Sequence, residues 1–169
     1  MEHGWVSGDQ QGTWAERCGY VAFGLGVGHA AVSFYWGAGG DWLLDTVGGE
    51  LERLARERGA GMVALVWGTG TLKLFAAVLG LAVVRRWGRG RWRRVVPALA
   101  WTASAVLVLY GGTLVVVQAL VELGVIEAAP DVDWQALRWH LYLWDPWFLA
   151  WGLLLGAAVW GSARERGDS

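Results

Sequence analysis

A single lysine, Lys73, stands in the middle of an apolar run from Met62 to Val84, while all thirteen arginines lie outside the long apolar segments. An ammonium at mid-membrane depth costs roughly 2.5–3.5 kcal/mol on insertion scales, so such a residue marks a functional site by default. Snorkelling offers it no escape. About twelve residues, roughly 18 Å of helix, separate it from either end of its run, and a lysine side chain reaches only about 6 Å. Something inside the protein, or a partner, must answer that charge.

Helical spacing decides which other polar residues can reach it. Gly26, His29, Ser33 and Gly37 follow one another at intervals of three or four, as do Gly70, Lys73, Ala77 and Gly80, with Thr69 beside them. Ser104, Gly111 and Gln118 are seven apart, and Asp145, Gly152 and Gly156 also align. Each set shares one helix face, and small residues on a face mark close helix–helix contact in membranes. The polar residues are therefore expected to point into a bundle. His29, Ser33, Lys73 and Asp145, with Gln118 and His140, are the candidates for lining a cavity in its outer half. Amine, imidazole and carboxylate together are the groups that proton transfer uses. Trp67, Trp101 and Trp151, set deeper than the other tryptophans, are the candidate pocket aromatics.

Each candidate has a plainer alternative. Lys73 with Asp145 is also read as an ion pair fixing helix register; a Lys73→Met, Asp145→Asn double change would then be tolerated better than either alone. His29 with Ser33 is also read as a packing hydrogen bond. Asp145 precedes Pro146, which makes it a candidate N-cap with proline at the first helical position.

The elements that must position these residues are four apolar windows, near 18–38, 61–84, 95–121 and 139–161. Each is long enough to cross a bilayer, which needs about 20 predominantly apolar residues. With 55% hydrophobic residues so distributed in 169, no room is left for a separate soluble domain. The expected architecture is an all-α, four-helix transmembrane bundle over 17–161, with a flexible tail at 1–16 and another tail at 162–169.

Charge sets the orientation. Arg85, Arg86, Arg89, Arg91, Arg93 and Arg94 crowd one loop without an acid, and Arg17, Arg164 and Arg166 belong to the same side. The opposite loops hold only Arg53, Arg56, Arg58 and Arg138. Nine basic residues against four predict both termini and the arginine loop in the cytoplasm. Residues 50–58 read as a short amphipathic helix in the first external loop, lying on the membrane surface or capping the bundle mouth, with Glu52–Arg56 a favourable pair.

Among fourteen tryptophans, Trp36, Trp42, Trp134, Trp139, Trp144 and Trp147 are expected near the outer face, and Trp87, Trp92 and Trp160 near the inner one, as interface anchors. Trp87 and Trp92 interleave with arginines, but a basic loop between two spans is what orientation alone produces, so nucleic acid is not an expected partner. Membrane lipids are. Cys18 is the sole cysteine and precludes an internal disulfide. Asp131 and Asp133 read as solvated loop charges. His29, His140 and Asp145 lack a tight metal-ligand motif, so no metal or cofactor is expected, and neither a phosphate loop nor a nucleophile elbow is present.

The segments His29-Ala30-Ala31-Val32-Ser33-Phe34-Tyr35-Trp36-Gly37-Ala38-Gly39-Gly40 and His140-Leu141-Tyr142-Leu143-Trp144-Asp145-Pro146-Trp147-Phe148 carry a resemblance. Over roughly 17–161 the chain resembles the small four-pass membrane proteins, common in actinobacteria, catalogued as a domain of unknown function. That resemblance implies a four-helix fold in the plasma membrane and no assigned activity. Three function classes follow from the residues. One is an accessory or structural membrane protein whose buried charges specify packing or hold a partner helix; another binds or transforms a lipid- or isoprenoid-like molecule through Lys73, His29 and Asp145. The third is a small oligomeric transporter or channel. Whether the chain is an enzyme is not decided by its sequence, but the surroundings of Lys73 discriminate the classes: an apolar-walled pocket, a closed Lys–Asp pair, or a lysine facing lipid or another protomer.

Overall fold

The computed structural model describes residues 8–87 and 90–165, and among them the fold is all-helical. In chain order come α1 (Gly8–Gly37), a single 3-10 turn (Leu44–Thr46), α2 (Gly49–Glu57), α3 (Ala60–Val84), α4 (Trp92–Glu122) and α5 (Trp134–Trp139). A π-helical turn (His140–Trp144) then runs into α6 (Asp145–Arg164). Four stretches are long and apolar enough to cross a membrane: Trp14–Gly37, Ala60–Val84, Trp92–Glu122 and Trp134–Arg164. The first helix starts earlier than expected. It begins at Gly8, within the stretch read as a flexible tail, and Ala15 is buried against Gly161; residues 1–7 lie outside the described residues.

α1 packs on α3 and α6, and α4 packs chiefly on α6. The most apolar windows of α1 and α6 are each 39% buried, against 17% for α3 and 11% for α4. The first pair is therefore the spine of the bundle, and the second pair presents most of its apolar surface outward. The core gathers Ala22, Ala77, Val83, Leu155 and Val159 around Trp151, towards the end that carries the arginine loop. Two glycines set the helix spacing there and at mid-bundle. A Cβ on Gly26 would lie 2.6 Å from both the Ala77 methyl and the Trp151 ring, and one on Gly111 2.7 Å from the Leu149 backbone nitrogen. Ser104 Oγ donates to the Gly152 carbonyl at 2.8 Å across the α4–α6 contact.

Away from the arginine loop the packing opens. No residue of α3 before Gly70 is buried, and the space is covered from the end by the 39–60 loop. Gly39, at φ 104, ends α1 with its N–H on the Trp36 carbonyl and the Gly40 N–H on that of Tyr35, satisfying carbonyls the helix leaves free. The following turn buries Leu44 and Thr46. α2 is the amphipathic helix expected from the sequence, laced by Arg53 to Glu50 and Glu57 and by Arg56 to Glu52. The Arg53 guanidinium, by hydrogen bonding Glu50, holds that carboxyl below its ordinary range. Asp133, read as a solvated charge, instead caps α5, its Oδ1 accepting from the Gln135 and Ala136 N–H groups at 3.0 and 3.1 Å.

At the arginine loop, Arg86 hydrogen-bonds Glu165 beyond α6. The Arg164 guanidinium lies 4.0 Å over the Trp160 ring and that of Arg91 5.6 Å over Trp92. Arg85 follows α3 in the loop, Arg93 and Arg94, expected in the same loop, stand in the first turn of α4, and Arg89 lies outside the described residues.

Candidate functional site

The open half of the bundle borders an open-sided cavity of about 340 Å³. α1 contributes His29, Ser33 and Trp36 to its wall; α3 contributes Met62, Leu65, Val66, Thr69 and Lys73. Tyr110 closes it from α4, and His140, Trp144 and Phe148 from the fourth span. Leu44, Val47, Leu51 and Ala55 roof it from the 39–60 loop and α2. Most of this lining is hydrocarbon or aromatic ring, and the nitrogens and hydroxyls stand out against it.

The candidate polar residues fall into two groups. In the first, Lys73 Nζ donates to Ser33 Oγ at 2.9 Å and stands 5.5 Å from the centre of the Phe148 ring. Ser33 Oγ donates in turn to the His29 backbone carbonyl at 3.4 Å, one turn back in its own helix. The Lys73–Asp145 ion pair, the plainer alternative read from the sequence, is not formed. The ammonium has a hydroxyl and an aromatic face for company, and no carboxylate pairs with it among the described residues. Nor do His29 and Ser33 join side chain to side chain. The His29 ring, 4% exposed, has no partner on either nitrogen. It lies instead among the rings of Phe148, Trp147 and Trp144, at centroid distances of 4.2, 5.0 and 5.7 Å.

In the second group Asp145, 1% exposed, is held by neighbours at its own end of the fourth span. Its Oδ2 accepts from Gln118 Nε2 at 2.8 Å and faces His140 Nδ1 at 3.3 Å. His140 Nε2 lies 3.3 Å from the Val47 carbonyl. Both imidazole nitrogens thus face acceptors, whereas a neutral imidazole has one N–H.

The π turn makes this contact. Its i→i+5 bonding, seen as the Asp145 N–H on the His140 carbonyl, brings positions five apart onto one face. Pro146 explains the irregularity, since it has no N–H to give and its ring crowds the preceding turn. Asp145 is consequently helical (φ −80, ψ −37) and is not an N-cap. The turn is tied to the roof by Trp144 Nε1, which donates to Thr46 Oγ1 at 3.0 Å.

The aromatics are redistributed. Trp67, Trp101 and Trp151 are not among the cavity's lining residues. Trp67, 45% exposed, sits in the notch at Gly37 against Phe34, and Trp101 lies on the outside of α4 near Gly156. Trp151 is core, 1% exposed. Trp36 and Trp144, expected at the interface, line the cavity with Phe148 and Tyr110. The spacing of Trp144 and Phe148, four apart and each on the face of His29, was the available sign. Among the described residues no three His, Cys, Asp or Glu side chains converge as a metal-ligand set.

Fold and site define a helical, multi-pass membrane protein with a polar group inside its bundle. Residues 26–155 match the family model described as "Protein of unknown function (DUF3995)", and the chain belongs to that family. The matched region runs from Gly26 to Leu155 and so contains every cavity residue. No curated protein and no solved structure matches the chain.

The two polar groups are expected to be energetically separate. In double-mutant cycles read by denaturant unfolding in detergent, His140→Phe with Asp145→Asn should show a coupling of about 0.5–3 kcal/mol, as contacting residues do. Lys73→Met with Asp145→Asn should fall below about 0.5 kcal/mol; a larger coupling for that second cycle would restore the ion pair.

Proposed function

We propose that the protein is a membrane-embedded binding protein for a lipid-like amphiphile, with the ligand's polar head at Lys73 and its apolar part along Trp36, Leu65, Trp144 and Phe148. The observation that carries this reading is Lys73 itself: an ammonium in an apolar-walled cavity whose one hydrogen-bond partner is the Ser33 hydroxyl. A buried charge left without a counter-charge is costly, and a ligand supplies what the protein does not. The volume suits a small molecule, since such sites begin at about 300 Å³. Leu65 and Tyr110, 54% and 52% exposed on the facing helices α3 and α4, give an apolar side entrance from the bilayer. A purely structural role for Lys73 would have been supported by a closed pair with Asp145.

The arginine distribution supports an orientation in the bacterial plasma membrane with both termini and the 85–94 loop in the cytoplasm, so that the cavity lies in the outer half of the bilayer. A cysteine at Glu57, in a Cys18→Ala background, should then react with a membrane-impermeant maleimide on intact cells, and one at Arg93 only after lysis. The reverse pattern would invert the topology.

Native mass spectrometry in mild detergent, followed by lipid extraction, tests the binding reading. The wild type should carry a co-purifying amphiphile that Lys73→Met loses. No bound molecule in either, with the variant folding normally, would return the buried charge to a packing or partner-helix role.

A further inference from the structure

The charge and donor inventory of the cavity selects a head group. We infer that the ligand is a monoanionic carboxylate on an apolar chain, a long-chain acid, clamped between Lys73 and His29; this rests on the binding role proposed above.

Lys73 supplies one positive charge. Asp145 stands outside the lining, accepting from Gln118 and facing His140. Among the described residues no arginine lines the cavity. A single negative charge is therefore what balances the one charged side chain of the wall. A phosphate monoester brings about −1.5 to −2 charges and would leave an unbalanced anion in apolar surroundings. An alcohol would leave the ammonium unbalanced.

Geometry adds the second contact. Lys73 Nζ and the His29 ring both stand against Phe148, one by cation–π approach and one by ring contact. His29 is more than nine-tenths buried, lines the cavity and has both nitrogens unpartnered. A neutral imidazole has one N–H to donate, and an ionised carboxyl has two oxygens to receive. One oxygen takes the ammonium and the other the imidazole N–H, which the His29 ring presents by turning towards the cavity, since both of its nitrogens are covered as they stand. Both bonds are charge-assisted and so stronger than neutral ones. The serine and threonine hydroxyls of the wall are already committed, Thr69 to the Val66 carbonyl and Ser33 to that of His29. Trp36, Trp144 and Phe148 then flank the first part of the chain, and Leu65 and Met62 lead it out between α3 and α4.

Native mass spectrometry titrations of delipidated protein in uncharged-lipid nanodiscs, with dodecanoate, dodecanol and dodecyl phosphate as probes, test this with the chain length held constant. Dodecanoate should bind one to one and about tenfold or more tighter than either of the others, the loss expected for one charge-assisted contact. Lys73→Met should bring dodecanoate down to the level of dodecanol, and Lys73→Arg should retain part of the preference. His29→Phe should weaken dodecanoate by about tenfold. Equal binding of acid and alcohol in the wild type, or tighter binding of the phosphate, would overturn the carboxylate inference while leaving an amphiphile site standing. Failure of all three probes to bind would overturn the binding role itself. The wild-type series needs no variant to fold.

Discussion

The cost of holding one ammonium away from water, with no carboxylate within reach, is the constraint on which the rest of this structure turns. A lysine in a helix bundle is ordinarily paired, or reaches an interface along its own stem. Lys73 does neither. It is kept in place by the Ser33 hydroxyl and the Phe148 face, weak partners for a full charge. The carboxylate that ought to answer it, Asp145, is occupied by Gln118 and His140. The proposed ligand site rests on this arrangement, a cation without a counter-charge beside a carboxylate held by other partners.

The bundle achieves this by being closed at one end and open at the other. Towards the arginine loop, small residues let α1, α3 and α6 approach until Trp151 and Leu155 fill the interior. Beyond Gly70 in the other direction, α3 loses its buried neighbours and large rings replace small residues on the facing helices. The π turn before Pro146 then does two jobs. It swings His140 onto Asp145, and it presents Trp144 to Thr46 so that the 39–60 loop is fastened over the opening. The His140–Asp145 contact and the fastened roof thus both depend on one irregular turn.

Much of the fold was legible because two periods, of span length and of 3.6 residues, carry it. The second span was expected at 61–84 and is Ala60–Val84; the third, expected at 95–121, is Trp92–Glu122. The faces carrying Gly26, Gly80, Gly111 and Gly152 meet neighbouring helices as the spacing required. The site was legible only as a set of residues. His29, Ser33, Lys73 and His140 all line one cavity, but the partners were not readable. A pairing five residues apart has no place in a regular α-helix, so His140–Asp145 was hidden, with Pro146 its only trace. Depth along a span says nothing about rotation around it, which is why depth points to Trp67 and Trp101 whereas Trp36 and Trp144 line the cavity. The early start of α1 was concealed by the polar composition of residues 8–13.

Because Lys73 is the only lysine, labelling lysine with nitrogen-15 gives one side-chain resonance and therefore a direct reading of what answers its charge. In membranes, that Nζ signal should move when the protein is stripped of co-purified lipid and return on adding a carboxylate amphiphile, while Asp145→Asn leaves it nearly in place. A signal indifferent to lipid removal but strongly displaced by Asp145→Asn would mean that the protein balances its own lysine, and the account of a ligand site would fall.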